Sequence, residues 1–221
     1  MEIVFNESEV LTQVYEEIQQ RFSGIHDLAH GWEHIQRVYH LALAIAKREG
    51  ADRFIVGMAA LTHDLGRTAP HEQTEHHADL SVQLATDLMN TYAVPADKQR
   101  AILHAIIAHS FSRGVPPQTL EAYVVRDADR LDGLGAIGIM RWAMTGIVLQ
   151  TSETRSYHPD DPFAEQHSPD DKHYVLDHFY AKLLKLEETM GTETGRTMAA
   201  QRTAFMRIYL HQLRQELEAM Q

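Results

Sequence analysis

Apolar residues along this chain recur at three- and four-residue intervals, the spacing that places them on one face of a helix. Val10, Val14 and Ile18 form the first such stripe, with Asn6 and Glu9 in the positions of a capping box and an end near Gly24. Ile35, Val38, Ala42 and Ile45 form a second, over about His30 to Arg48, closed by Gly50; His34, Val38, Leu41 and Ile45 share a face, so His34 borders the buried stripe. Asp52 then caps Phe54-Ile55-Val56-Gly57-Met58, which is apolar on every side and reads as a helix buried all round. That helix delivers His63 and Asp64 side by side, with Gly66 read as a left-handed residue closing it, so that Asp64 falls in the last turn where the helix dipole disfavours a carboxylate. A buried carboxylate there needs a cation, either Arg67 or a metal ion.

Residues Arg67 to Thr74, with Pro70, read as a loop. Leu80, Leu84, Ala85 and Leu88 mark a fourth helix carrying His76 and His77 in its first turn, and Pro95 and Asp97 open a fifth, which bears His104 and His109 on different faces. After Gly114-Val115-Pro116-Pro117, whose second proline suits a first helical position, Leu120, Val124 and Ala128 lead into Asp127, Asp129 and Asp132. Gly133, Gly135 and Gly138 allow close approach in a helix that reads as buried to about Val148. Residues 151–172 lack an apolar period and hold two acidic turns, Asp160-Asp161-Pro162-Phe163 and Pro169-Asp170-Asp171; loops of this length are often lids or binding loops. Two helices, about His173 to Met190 and Thr192 to Ala219, finish the chain. No strand-length alternation or internal repeat is found, so the expectation is all-α, with a single domain over 1–221: a core of about 26–150, the loop 151–172, and C-terminal helices over 173–219.

A net charge of -11 argues against general nucleic-acid binding, which rests on basic surface. With Cys 0, thiolate catalysis and cysteine metal sites are excluded, so any metal falls to His, Asp or Glu. The N-terminal residues lack a signal-peptide pattern and no apolar run reaches membrane-span length, giving the expectation of a cytoplasmic protein without a membrane partner. The 15 His are scattered, and a lone one at a helix boundary is ordinarily a hydrogen-bonding or solvent-facing residue. Four residues beside buried faces change the odds: His34, His63, Asp64 and Asp129 supply two imidazoles and two carboxylates, a ligand set for a divalent metal with open positions.

The ordered series His34…His63-Asp64…Asp129 resembles the H…HD…D signature of the HD superfamily of metal-dependent phosphohydrolases. The likeness extends over His34 to Val38, Leu61 to Arg67, Ala108 to Ser112, Asp127 to Gly138, Asp160 to Phe163 and Asp177 to Leu186, which are similar to the small YedJ-like bacterial subgroup. Gly31 departs from the subgroup, which usually has Asp there after the histidine equivalent to His30. The resemblance implies metal ligation by His34, His63, Asp64 and Asp129, the last because Ala128-Asp129-Arg130-Leu131 fits the family's A-D-x-L position; Asp127 is then a supporting partner and Asp132 structural. His77 and His109 resemble histidines that some members use for a second metal or for phosphate. Asp64, Arg67 and His109 are the catalytic candidates, and Arg37, His77, Arg130, Lys182 and Lys185 the candidates for binding substrate.

The implied cofactor is a divalent transition metal, Mn2+ foremost, with Fe2+, Co2+, Ni2+, Zn2+ or Mg2+ as alternatives. The implied partner is a small phosphorylated substrate, a nucleotide first, and the protein a monomer or homodimer. Conversion of a nucleoside triphosphate to monophosphate and pyrophosphate is the expected reaction. Phosphomonoesterase, cyclic-nucleotide phosphodiesterase and noncatalytic metal or nucleotide binding are the alternatives. The chain has neither a P-loop nor the G-Y-P sequence of the cyclic-dinucleotide branch.

Overall fold

The computed structural model describes residues 5–27, 29–69, 76–110, 112–148 and 150–219. The expected loop positions 70–74 lie outside the described residues. The chain is all-α, with no strand among the described residues and only an isolated bridge between Arg155 and Tyr174. It divides into two compact units, 1–129 and 130–221.

The N-terminal unit is organised around one helix. α1 (Glu7–Phe22) buries Val10, Leu11, Val14, Ile18 and Phe22, with the Asn6 side chain accepting the Ser8 and Glu9 N–H groups. α2 (Trp32–Glu49) buries Ile35, Val38, Ala42, Ile45 and, in its first turn, His34. α3 (Arg53–Thr62) is buried at every position from Phe54 to Thr62 except Ile55, as its unbroken apolar run predicts, and packs against α1, α2 and α5. Burying each of its larger side chains, Phe54, Val56, Met58 and Leu61, stabilises the unit by about 1.5–3 kcal/mol. The Asp52 carboxylate caps α3 through the Phe54 and Ile55 N–H groups and accepts from Lys98 Nζ at 2.8 Å; the same ammonium reaches Glu7 at 2.9 Å, tying three helix starts together.

α4 (His77–Thr91) and α5 (Ala96–His109) pack on one another, and α6 (Leu120–Asp132) completes the set. α6 starts at Leu120 rather than at Pro117, because Thr119 provides the cap: its hydroxyl accepts the Ala122 N–H at 3.2 Å and its carbonyl the Tyr123 N–H at 3.1 Å.

In the C-terminal unit, α7 (Gly135–Val148) packs on α9 (Glu193–Glu218). The expectation that α7 is buried to its end is corrected: Met140 is 46% and Ile147 72% exposed. The helix expected from His173 to Met190 is instead a chain of short turns, Val175–Asp177, α8 (His178–Ala181), Leu183–Lys185 and Glu187–Thr189. Tertiary partners take the backbone groups that a continuous helix would use. Trp142 Nε1 donates to the Val175 carbonyl at 2.7 Å, Arg130 Nη1 donates to the Thr189 carbonyl at 3.0 Å, and Lys182 leaves helical geometry at φ -136, ψ -59. The expected loop 151–172 contains no helix, and α9 matches the expected final helix to within a residue at each end.

Candidate metal centre

α3 ends at Thr62, not beyond Asp64. His63 keeps αR geometry as the C-cap, whereas Asp64 at φ -108, ψ 15 has left the helix and precedes a 3-10 turn, Leu65–Thr68. The carboxylate is therefore just beyond the last α-turn rather than within it. Gly66 is also not left-handed. Its role is close approach: a Cβ would lie 2.2 Å from the His77 carbonyl oxygen and 2.8 Å from Leu80 Cβ. The turn is thereby pressed against the start of α4, with the Gly66 N–H donating to Ser81 Oγ at 2.8 Å.

His63 is fully buried, and its Nδ1 lies 2.8 Å from the Ala60 carbonyl. A carbonyl only accepts, so the proton is on Nδ1 and the Nε2 lone pair faces the site. There it meets His34 Nε2 at 3.3 Å, Asp129 Oδ1 at 3.9 Å and Asp64 Oδ2 at 3.9 Å, with His34 Nε2 to Asp129 Oδ1 at 3.4 Å. His34 is 1% exposed, and the Asp129 side chain at 27% forms the open edge.

On the other side of Asp64, His109 Nδ1 donates to the Ile106 carbonyl, the same tautomer-setting device one helix away. His109 Nε2 lies 3.7 Å from Asp64 Oδ1 and His77 Nε2 lies 3.6 Å from it, while Arg67 Nε donates to Asp64 Oδ2 at 2.6 Å. Asp64 Oδ1 is buried and accepts no hydrogen bond. Two overlapping groups able to hold a metal result, His34, His63 and Asp129, and His63, Asp64 and His109. Bonds of about 2.0–2.2 Å to imidazole nitrogen and carboxylate oxygen place ligands of one ion about 3–3.6 Å apart, close to the separations here. The residues fit a divalent cation: buried lone pairs converge beside Asp64, whose orphaned Oδ1 lies on the side of His77 and His109.

The electrostatics agree. Burial pushes His63 down to about 4 against the opposing pull of Asp64, and burial likewise lowers His77 to about 4, so both rings are neutral near pH 7. Burial alone would raise Asp64, but His109, His63 and Arg67 together hold it well below the usual carboxylate range. Burial would lower His109, and Asp64 raises it instead. Arg67 and the histidines thus act together, and the choice between an arginine and a metal as partner of Asp64 was not exclusive.

The N-terminal unit brings together His34, His63, Asp64, Asp129, Arg67, His77 and His109. Arg37 sits one turn after His34, 3.9 Å from Glu33. Within the C-terminal unit Arg130 donates to the Thr189 carbonyl, and Lys182 and Lys185 are exposed. Asp127 is fully buried, and Asp132 pairs with Arg141 at 3.1 Å. His76 caps α4 and meets Ser112 Oγ at 2.7 Å.

Two supports went unseen in the sequence. One is Ser81, a lone serine in an apolar stripe; the other is Asp27, which takes the Ala29 and His30 N–H groups and lies 3.0 Å from His30 Nδ1. The same turn explains Gly31, where a Cβ would lie 2.6 Å from the Asp27 carbonyl oxygen. An Asp at position 31 has no room there, and Asp27 supplies the carboxylate from the other side of His30.

An all-α scaffold carrying a buried His/Asp cluster is the arrangement that the resemblance to metal-dependent phosphohydrolases implies. The HD domain family matches residues 31–134, and the chain belongs to it. Bacillus subtilis YpgQ is 33% identical over 192 residues, 85% of this chain and 84% of that protein. The crystal structure of B. subtilis YpgQ in complex with ADP matches with a TM-score of 0.74 at 32% identity, over 95% of this chain and 96% of that one. An HD-superfamily hydrolase from Bacillus thuringiensis matches with a TM-score of 0.74 at 28% identity, over 97% and 100%. Ribonuclease Y of Thermoanaerobacter pseudethanolicus is 35% identical over 99 residues, 45% of this chain but 18% of that enzyme. No helix among the described residues is long and apolar enough to cross a membrane.

Proposed function

We propose that this protein hydrolyses nucleoside triphosphates to monophosphate and pyrophosphate with a divalent metal, Mn2+ foremost. The observation that carries the reading is the buried convergence of His34 Nε2, His63 Nε2 and Asp129 Oδ1 beside Asp64, whose Oδ1 has no hydrogen-bond donor. His34, His63, Asp64 and Asp129 would hold the ion. When bound, such an ion lowers the pKa of a coordinated water and neutralises phosphate oxygens.

The remaining work falls to the chain's own groups. Asp64 orients the attacking water and is itself fixed by Arg67 through Oδ2. Arg67 donates to Asp64 through Nε, leaving its two terminal nitrogens to meet phosphate oxygens at a partly exposed position. His77 and His109 flank the other oxygen of Asp64 and serve as phosphate contacts or proton carriers. Within the same unit, Arg37 is the further cation assigned to substrate. The water oxygen bonds to the α-phosphorus as the bond from that phosphorus to the α–β bridging oxygen breaks; the hydroxyl stays on the monophosphate, the bridging oxygen leaves with pyrophosphate, and the water's other proton passes by way of the carboxylate and imidazole groups to that leaving oxygen. A nucleotide ligand is supported by the ADP held by the YpgQ relative, and the net charge of -11 favours a small substrate over a polynucleotide.

The test is a panel of nucleoside triphosphates, diphosphates, monophosphates and cyclic nucleotides with the Mn2+-loaded full chain, scoring pyrophosphate against orthophosphate. Monophosphate and pyrophosphate in equal amounts are expected from the triphosphates. Orthophosphate alone would replace the proposed reaction with a phosphomonoesterase or stepwise one, and inertness toward the whole panel would leave a binding module.

A further inference from the structure

In the late segment two carboxylates, Asp161 of the first acidic turn and Asp177 beyond the second, converge on one histidine. His167 Nδ1 lies 2.7 Å from Asp161 Oδ2, and His167 Nε2 lies 2.8 Å from Asp177 Oδ2. A neutral imidazole carries one N–H and can satisfy one of these oxygens; between two ionised carboxylates the ring must carry both protons. The distances are those of charge-assisted hydrogen bonds.

Each carboxylate is bound to more than the ring. Asp161 also accepts the backbone N–H groups of Glu165, Gln166 and His167, at 3.0, 2.8 and 3.0 Å. Asp177 Oδ2 also accepts the Asp170 N–H at 2.8 Å. One ring therefore joins the turn that begins at Asp161, the turn at Asp170 and the helical turn Val175–Asp177. Asp177 is fully buried and its Oδ1 accepts no hydrogen bond, so the imidazolium is the cation in direct contact with it.

The surroundings preserve that charge. His158 stacks on His167 with centroids 4.5 Å apart, and its Nδ1 accepts the Asp160 and Asp161 N–H groups, which requires a lone pair there and a neutral ring. Tyr174 sets its ring at 5.9 Å. From α9, Arg214 pairs with Glu165 at 2.7 Å and covers the Phe163 ring at 4.1 Å; the α8 residue Tyr180, its hydroxyl pushed up to about 12 by burial, stays neutral. Asp170 and Asp171 are taken by His173 and His178, each at 2.7 Å.

We propose that the His167 imidazolium is a latch on residues 158–177, closed while the ring carries both protons and released when it loses one, so that pH sets the order of this segment. The hydrogen bonds to Asp161 and then Asp177 raise the ring's pKa above its ordinary value. A raised folded-state pKa gives a contribution that is complete below the unfolded value of about 6.5 and is lost as pH climbs through the folded value. For Asp161, burial pushes upward, but the Gln166 N–H and the His167 ring outweigh it and hold the carboxyl far below its usual range. Its contribution is present above the ordinary carboxylate pKa and is lost only as pH falls through that depressed value. The latch is closed between these limits and opens on the alkaline side.

Two measurements on the full chain test it, neither using metal or substrate. In ring-labelled protein, both His167 nitrogens should show protonated shifts at pH 6, with a midpoint above about 6.5. Amide exchange, normalised for intrinsic rates, should show protection of 158–177 falling by at least about tenfold as pH passes that midpoint, with α9 unchanged. His167→Gln should lack that protection already at pH 6 and show no such step. A neutral ring at pH 6, or protection that survives the midpoint in the wild-type chain, overturns the latch. The ring measurement decides the matter if His167→Gln does not fold.

Discussion

The molecule contains two clusters built from the same two residue types, and they work in opposite senses. Around Asp64, His63 and His109 each spend Nδ1 on the backbone carbonyl three residues earlier, turning a lone pair inward. Around Asp177, His167 spends both nitrogens on carboxylates and turns two protons inward. The first cluster sets one fixed cation, Arg67, against two carboxylates and still turns imidazole lone pairs inward, so it is suited to receive a further cation; the second supplies its own. What separates them is the partner of one ring nitrogen. A carbonyl partner leaves a neutral ligand, whereas a pair of carboxylates makes a fixed cation. Composition is blind to this difference, since both regions are simply rich in His and Asp.

The sharpest way to break the comparison is Asp64→Asn. Removing the charge that the cluster directs at a cation should lower both metal retention and hydrolysis by more than about 100-fold, beyond what loss of an outer supporting group costs. The helical signal should persist, because Asp64 lies outside α3. Metal content by elemental analysis, with circular dichroism on the same sample, checks this. His167→Gln is the matching control and should leave metal content unchanged. If it strips the metal, the two clusters are not independent and the contrast fails.

Much of the N-terminal unit was legible because burial alone decides it. α3 is apolar from Phe54 to Leu61, and the stripes of α1 and α2 run at helical spacing, so their extents follow to within a few residues. The ligand candidates were legible because four polar residues bordered buried faces in an order that resembles a known signature. Ring orientation was not legible, since it depends on which carbonyl a folded helix end presents. Nor was the path of Asp64, which turns on how closely Gly66 meets α4. The region 173–190 has helix-forming residues, but Trp142 and Arg130 take its carbonyls from far away in sequence. His167 and Asp177 are ten residues apart with no periodicity to join them.

Gly66→Ala sharpens the comparison by testing whether the lone-pair cluster depends on tight backbone packing. The added methyl would meet the His77 carbonyl at 2.2 Å and the Ser81 nitrogen at 2.9 Å, both backbone atoms that cannot swing aside. The start of α4 must move, taking His77 with it. Overpacking of this kind should cost about 1–3 kcal/mol in chemical denaturation, with weaker metal binding in parallel. An unchanged denaturation midpoint would mean that the turn is looser than its contacts indicate.

The smallest expected effect concerns a third kind of histidine, one whose lone pair takes a backbone N–H. His104 Nε2 takes the Gln118 backbone N–H at 2.9 Å, at an exposed position. It neither presents a lone pair to a cation nor carries a fixed charge, so its removal should touch neither cluster. His104→Ala should cost about 0.5–1 kcal/mol, the low end for one hydrogen bond, because water can replace the lost acceptor. Metal content should be unchanged, and so should exchange protection of 158–177. A loss of several kcal/mol, or of metal, would show that the connection before α6 helps to set Asp129 in place, and the role of a histidine here would then depend on more than the partners of its own ring.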